Sequence, residues 1–404
     1  MLHYSNSENA LILKIPCSGS AMGVRREGRL LAELVVPEAE ARSPETPEPN
    51  VRRVLIYRLG SLGDTVVALP CFHLIARRFP NAERALLTGY PIAAKAPAAA
   101  AVLGDSGLVH RYLRYTVGTR SVGELLRVAR EIRRFAPEVV VYLMPLRPWR
   151  SALRDGVFLR LACLWLGGTR RIVGLPEAGE EAPRLDAASG LYEAEAVRLG
   201  RGIEALGDAR AEDLSNWDLR LTSTERATAA SALEPLGGRA RIVCGPGTKM
   251  QAKDWGHENW RELLGRLHGR YPEHGLALIG AREDGAESEF AGELWGGAKV
   301  NLCGRLTPRE TASVIEGAQA FVGPDSGPMH LAASMGVACA IAFSARGLPG
   351  VWYPVGERHQ IVYHRTECYG CGLETCIERE RQCLRSITVE EMEQAVVRIV
   401  EGAG

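Results

Sequence analysis

Val322-Gly323-Pro324-Asp325-Ser326-Gly327-Pro328-Met329-His330-Leu331-Ala332-Ala333-Ser334-Met335-Gly336 is the stretch on which the reading of this chain turns. Ala320-Phe321-Val322 ends a buried strand, and an apolar helix follows a short polar turn. Asp325 and Ser326 are both good helix N-caps. Gly327 allows close approach of a ligand to the backbone, and Pro328 suits the first helical position. A helix that starts this way aims unpaired N–H groups and a partial positive charge at whatever lies before it, and a diphosphate is a natural occupant. An ordinary strand-to-helix turn needs one cap. Asp325, Ser326, Gly327 and His330 within six residues point instead to a ligand, with His330 either bonding phosphate or capping the turn.

Outward from this stretch, the second half of the chain alternates strands and helices. Arg241-Ile242-Val243-Cys244 reads as a strand, Gly245-Pro246-Gly247-Thr248-Lys249 as the loop at its end, and His257 onward as a helix. Leu276-Ala277-Leu278-Ile279-Gly280 and Lys299-Val300-Asn301-Leu302 read as further strands, and Ala338 to Phe343 as the last core strand. Thr307-Pro308-Arg309-Glu310 and Thr388-Val389-Glu390-Glu391 are capping boxes that open helices. The first half follows the same plan. Val54-Leu55-Ile56-Tyr57 is a strand, Gly60-Ser61-Leu62-Gly63-Asp64 a glycine-bearing turn, and 65–78 has the spacing of one helix. Residues 121–135 read as an amphipathic helix whose arginines form a solvated face, and Glu138 to Leu143 as a buried strand followed by Arg147 and Arg150. Trp217 to Leu221 reads as a linker strand, and Thr224 opens the next helix. Such alternation gives doubly wound parallel sheets, whose ligands bind at the carboxyl ends of the strands. The G-x-G-x-x-G fingerprint is absent, which disfavours a dinucleotide site and a dehydrogenase.

Composition bounds the function. At 404 residues the chain is too long for one ordinary core. Apolar residues make up 46% and charged residues 24%, normal for a soluble globular protein. A net charge of +1 gives no global field for nucleic acid. No apolar run approaches the ~18 residues of a membrane span, and the N-terminus has no signal-peptide pattern. The expectation is a cytoplasmic protein, with contact to a membrane surface left open. Residues 1–50, rich in Pro and Glu toward their end, read as a flexible extension.

Four of the ten cysteines cluster as Cys368-x₂-Cys371-x₄-Cys376-x₆-Cys383. Four thiolates at these spacings are a candidate structural zinc or iron site, with free cysteines in a compact loop as the alternative. Disulfides are the poorer explanation in a cytoplasmic chain.

Three motifs together resemble glycosyltransferase family 9, the ADP-heptose:lipopolysaccharide heptosyltransferases. They are Leu59-Gly60-Ser61-Leu62-Gly63-Asp64-Thr65 after Arg53-Val54-Leu55-Ile56; Lys253-Asp254-Trp255 with Glu258-Asn259-Trp260; and Gly323 to Ala333. The tail ending Cys383-Leu384-Arg385-Ser386-Ile387 is similar too, so the likeness spans roughly residues 52–400. The resemblance implies an α/β GT-B fold: two Rossmann-like, doubly wound domains facing across a cleft. With the extension at 1–50, the acceptor-binding domain would be 51–222, and 223–404 the nucleotide-sugar domain carrying the cysteine cluster and C-terminal helix. It implies inverting transfer from ADP-heptose to a hydroxyl of a lipopolysaccharide-core-like acceptor, with no cofactor or metal required, at the inner face of the inner membrane. Asp64 is the matched base and Lys253 the matched partner of the departing diphosphate. Gly247, Thr248, Lys249, Glu283, Asp325, Ser326, Gly327 and His330 would bind the nucleotide sugar, with Glu287 a rival to Glu283 for the ribose. Ser61, Gly63, Arg147 and Arg150 are candidates for a glycolipid or oligosaccharide acceptor. Alternatives are another nucleotide sugar, a protein, capsule or small-metabolite acceptor, or a non-catalytic, metal-stapled interaction protein.

Overall fold

The computed structural model describes residues 46–89, 98–116, 119, 121–145, 149–164, 169–175 and 182–402. Within them, every strand pair of the two sheets is parallel. The first unit runs β1 (Arg53–Tyr57), α1 (Leu62–Val67), α2 (Leu69–Arg78), β2 (Glu83–Gly89), α3 (Ala99–Leu103), β3 (Arg111–Tyr115), α4 (Val122–Phe135), β4 (Val139–Tyr142), α5 (Trp149–Leu164), β5 (Arg171–Val173) and α6 (Glu195–Gly202). The second runs α7 (Ser223–Ala232), β6 (Arg241–Cys244), α8 (His257–Arg270), β7 (Gly275–Leu278), α9 (Gly285–Ala291), β8 (Lys299–Asn301), α10 (Pro308–Ile315), β9 (Ala320–Pro324), α11 (Gly327–Ser334), β10 (Cys339–Phe343), β11 (Gln360–Tyr363), α12 (Gln382–Arg385) and α13 (Val389–Glu401).

The strands are short apolar runs because helices cover both faces of each sheet. The first sheet has order β3-β2-β1-β4-β5 and the second β11-β10-β9-β6-β7-β8. Each order reverses direction once, between β1 and β4 and between β6 and β9. Such switch points open a crevice at the carboxyl ends of the strands. The loops after β1, β6 and β9 all lie there. One core cluster fills the face of the first sheet under α4 and α5. Another lies under α8 and α13 on the second sheet, and a third joins residues of both sheets.

Several local expectations change for identifiable reasons. The single helix expected over 65–78 breaks at Ala68, because Pro70 lacks an N–H and its ring would strike the carbonyl four residues back. The helix expected from Thr224 starts earlier, in a capping box between Thr222 and Glu225. The expected linker strand is a 3₁₀ turn, Leu214–Trp217, followed by coil with Arg220 in a left-handed conformation. β11 adds a strand beyond the expected last one. Residues 46–50, assigned to the flexible extension, are pinned: Glu48 Oε1 lies 2.6 Å from both Arg78 Nη2 and Arg171 Nη2. The remainder of that extension, 1–45, lies outside the described residues.

One buried arginine ties the two units together. Arg309, in the first turn of α10, donates to the carbonyls of Val102 and Leu103 at the end of α3 (both 3.3 Å), and to those of Leu219 (2.9 Å) and Arg220 (2.9 Å) in the connection. Its other donors meet Glu225 at 2.5 and 3.0 Å. No helix among the described residues is long and apolar enough to cross a membrane.

Candidate active site

The carboxyl ends of β1, β6, β7 and β9 enclose a cavity of about 550 Å³. From the first unit come Ser61, Leu62 and Asp64. From the second come Gly247, Thr248, Lys249 and Lys253, then Arg282 and Glu283, then Asp325, Ser326 and Gly327. Ile279, Leu306, Pro308 and Leu331 make an apolar wall, with Thr311 beside it. A hydrophobic slot with few convergent polar groups is the usual form of a nucleotide-sized site.

The turn after β1 is built around Asp64. Gly60 has φ +140°, and a Cβ there would fall 2.2 Å from the Cβ of Asp64, so only glycine permits the tight return. Asp64 Oδ2 accepts from the Ser61 backbone N–H at 2.8 Å and from its hydroxyl at 3.0 Å. Both bonds fall on one oxygen, leaving Oδ1 to other partners. Beneath the turn, buried Arg58 donates to the carbonyls of Leu143 (3.1 Å) and Asp64 (2.5 Å), fixing the backbone of the loop to the end of β4.

The loops after β6 and β7 interlock. A Cβ on Gly247 would lie 2.5 Å from the Asp284 carboxyl carbon, and Asp284 Oδ2 accepts the Ala281 N–H at 2.8 Å. Glu283 lines the cavity, and its rival Glu287 does not. Lys253, at the end of a 3₁₀ turn, places Nζ 2.9 Å from the Asp325 carbonyl and 2.8 Å from Asp325 Oδ1. Asp325 Oδ2 in turn accepts the hydroxyl of Ser344, which is fully buried just past β10, at 2.8 Å. Ser326 caps α11 without a side-chain bond; its hydroxyl oxygen is buried without a protein partner, and Ser326 lines the cavity.

The first turns of α1 and α11 pack on each other across the crevice. A Cβ on Gly63 would sit 3.1 Å from His330 Cδ2, and one on Gly327 2.9 Å from Leu62. His330 is buried in this contact, with the Trp352 ring 6.1 Å away, and it does not line the cavity. Burial first, and then the Lys253 charge, push its pKa down to about 3, against a smaller opposing pull from Asp64. His330 is thus a neutral packing residue at the contact of the two turns.

The remaining expected residues fall elsewhere. Gly63 is used in the helix contact and not in the cavity wall. Arg150 is exposed on α5, and Arg147 lies outside the described residues. The Cys383 thiol lies near enough to Cys368, Cys371 and Cys376 to feel their charges, and among the described residues no group of three or more His, Cys, Asp or Glu is placed to hold a metal. The cysteine loop closes on the Lys253 turn. Cys376 N–H donates to Gln251 Oε1 at 2.9 Å, Ala252 N–H to the Glu374 carbonyl at 3.0 Å, and Arg381 to Asp254 Oδ2 at 2.7 Å. Cys371 is exposed, and Cys376 accepts the Arg381 N–H at 3.4 Å. Sequence reading missed Arg58, Ser344 and the wall residues Leu306 and Thr311. Arg58 and Ser344 each directly follow the last residue of a buried strand, a signal that could have marked them.

The chain and its fold are similar to those of known proteins. The model of glycosyltransferase family 9 (heptosyltransferase) matches residues 204–381. The chain is 27% identical over 336 residues to lipopolysaccharide heptosyltransferase 1 of Pseudomonas aeruginosa, covering 80% of this chain and 87% of that one. Its fold is similar to that of a family 9 glycosyl transferase from Veillonella parvula, at TM-score 0.66 and 15% identity over 87% of this chain and 98% of that one. It is similar also to ADP-heptose lipopolysaccharide heptosyltransferase II of E. coli, at TM-score 0.60 and 16% identity over 87% and 99% of the two chains. The fold is thus the two-sheet GT-B architecture. The three sequence motifs are set around one cavity, in a chain whose second unit is similar to glycosyltransferase family 9 and whose relatives indicate a glycosyltransferase.

Proposed function

We propose that the protein is an inverting, metal-independent heptosyltransferase that moves heptose from ADP-heptose to a hydroxyl of a lipopolysaccharide-core-like acceptor. The observation that carries this reading is that Asp64 lines the same cavity as Lys253 and the start of α11, from the opposite unit. In the proposed division, residues 51–222 bind the acceptor and 223–404 the donor. The Asp64 carboxylate takes the acceptor hydroxyl proton as that oxygen bonds to the anomeric carbon. The bond from that carbon to the diphosphate breaks on the opposite face, and its electron pair leaves with ADP. Lys253 and the N–H groups at Ser326 and Gly327 receive the developing negative charge. Thr248 and Lys249 flank the phosphates, and Glu283 meets the ribose. We place the reaction at the cytoplasmic face of the inner membrane, in keeping with the lipopolysaccharide named for the P. aeruginosa relative.

The test is a thermal-shift panel of ADP, UDP, GDP and NAD, followed by incubation with ADP-heptose and heptose-deficient lipopolysaccharide core. Stabilisation by ADP alone and appearance of heptosylated core are the expected results. Stabilisation by UDP or GDP alone reassigns the donor, and by NAD alone removes the reading.

A further inference from the structure

The face formed by α4 and α5 is unlike the rest of the surface. Both helices cover the same side of the first sheet: Val128, Ile132 and Phe135 of α4 share a core with Ala152, Leu159 and Ala162 of α5. Their opposite sides are open. On α4 the outward positions run Val122, Leu126, Arg130 and Arg133, with Arg134 beside them. On α5 they run Arg150, Arg154, Val157 and Leu161. Steps of three and four residues put each series on one helix face. Val122 is 68% exposed, Leu126 50%, Val157 39% and Leu161 63%. Four large apolar side chains this open, on two neighbouring helices, exceed the scattered exposure normal for a soluble surface.

The charges on this face have one sign. The carboxylates of the two helices are withdrawn: Glu124 and Glu131 both pair with Arg127, at 2.6 and 2.7 Å, and Asp155 is buried under the Tyr142 hydroxyl, 3.3 Å away. Arg130, Arg133, Arg134 and Arg150 are exposed with no carboxylate partner among the described residues, and Arg154 reaches Asp155 only at 3.5 Å. Open apolar side chains among unpaired arginines are the pattern that seats a helix in the headgroup region of an anionic bilayer. A protein partner would be expected to answer the arginines with carboxylates at fixed positions, but the guanidiniums are spread along both helices. A laterally mobile anionic surface matches such a spread without fixed pairing.

We propose that the α4–α5 face docks the protein onto a bilayer rich in anionic phospholipid. The inference is carried by the surface alone. It extends the proposed function by setting the acceptor-side unit against the membrane that would hold a lipid-linked acceptor.

The test is co-sedimentation of the full chain with vesicles of phosphatidylcholine alone or mixed with phosphatidylglycerol, without donor or acceptor. Binding is expected only to the phosphatidylglycerol mixture, weakening as salt is raised. The triple change Arg130→Gln, Arg133→Gln and Arg134→Gln should weaken it about a hundredfold. The pair Leu126→Ser and Leu161→Ser should weaken it about tenfold. Both variants should keep the ADP-induced rise in melting temperature, which reports the distant cavity and shows that they fold. Equal binding to both vesicle types, binding indifferent to the arginine changes, or absence of binding overturns the proposal. So does a dimer in sedimentation that Leu126→Ser and Leu161→Ser dissociate, since a second copy would then cover the face. Loss of vesicle binding with transfer to a soluble acceptor intact separates this inference from the proposed reaction.

Discussion

Two turns meet at the centre of this molecule and use the same local design for different ends. Each runs from a buried parallel strand to the start of a helix and carries an aspartate there, Asp64 in the first turn of α1 and Asp325 just before the cap of α11, and the two helix starts touch through Gly63, Leu62, Gly327 and His330. Asp64 is bound only by its own turn, through Ser61, and no cation lies at ion-pair distance among the described residues. Asp325 is held from far away in the sequence, by Lys253 on one oxygen and Ser344 on the other. An aspartate free of a cation can take a proton from a substrate. One that is buried, ion-paired and hydrogen-bonded is spent on orienting its partner. Position at a helix start does not decide which; the long-range partners do.

The comparison breaks most visibly at Asp64. Asp64→Asn keeps the shape and the bonds that can accept from Ser61 but removes the base. Transfer should fall by about 10²–10⁴ in kcat, the usual range for a general base, while ADP still raises the melting temperature as in the parent. Near-normal transfer would show that the two turns do not differ in the way described. Lys253→Ala strikes the other turn. Loss of one preorganised charge partner of a leaving group costs about 10²–10³ in kcat, and here ADP affinity should fall as well. It also strands the Asp325 carboxylate, so the melting temperature without ligand should drop, as it should not for Asp64→Asn. Unchanged ADP binding would move Lys253 out of the diphosphate site.

Ser344→Ala is the smaller and sharper perturbation. Ser344 does not itself line the cavity, yet its loss removes the donor that fixes one oxygen of Asp325, which does. A buried acceptor deprived of its donor costs about 1–3 kcal/mol, visible as lower stability. If Asp325 then swings away from Lys253, kcat should fall about tenfold with KM for the acceptor unchanged, the order expected from roughly 1.4 kcal/mol of lost transition-state stabilisation. Lowered stability with unaltered kcat would leave Ser344 a packing residue only.

The same contrast separates what the amino-acid sequence reveals from what it hides. Strands such as Val54 to Tyr57, the Thr307 and Thr388 capping boxes, and the cavity-lining set from Gly247 to Gly327 are local patterns, and each is legible because its cause lies within a few residues. Ser344 is hidden because its partner is 19 residues away on a neighbouring strand end. Arg309 looks like one more residue of a capped helix, although it gathers carbonyls from α3 and from the connection. The cysteine spacing tells only part of the story for a related reason. Spacing measures reach along the chain, and it does not show that Arg381, Glu374 and Cys376 also bind the Lys253 turn. His330 is the clearest case. Its place beside Asp325 and Ser326 suggests a phosphate ligand, but the packing of α11 on α1 turns it toward Gly63 and Trp352.

That placement gives the last and smallest effect, one on stability alone. The folded protein holds His330 neutral, its pKa moved from 6.5 to about 3 chiefly by burial. The unfolded chain takes up a proton near the ordinary value of 6.5. Below that pH the unfolded state therefore binds more protons at this position than the folded state, and stability falls with pH until the folded pKa is reached. Above about pH 7 both states are neutral here and the contribution is flat. His330→Gln keeps a polar side chain of similar length without the titration. The stability of the parent minus that of the variant, from urea unfolding at a series of pH values, should be constant above neutrality and decline from pH 6.5 toward pH 4. Carboxylates, Lys253 and His359 titrate alike in both proteins and cancel in the difference, unless the substitution moves them. A flat difference across the whole range would mean that His330 titrates in the fold as it does in the unfolded chain, so that burial between the two turns does not hold it neutral.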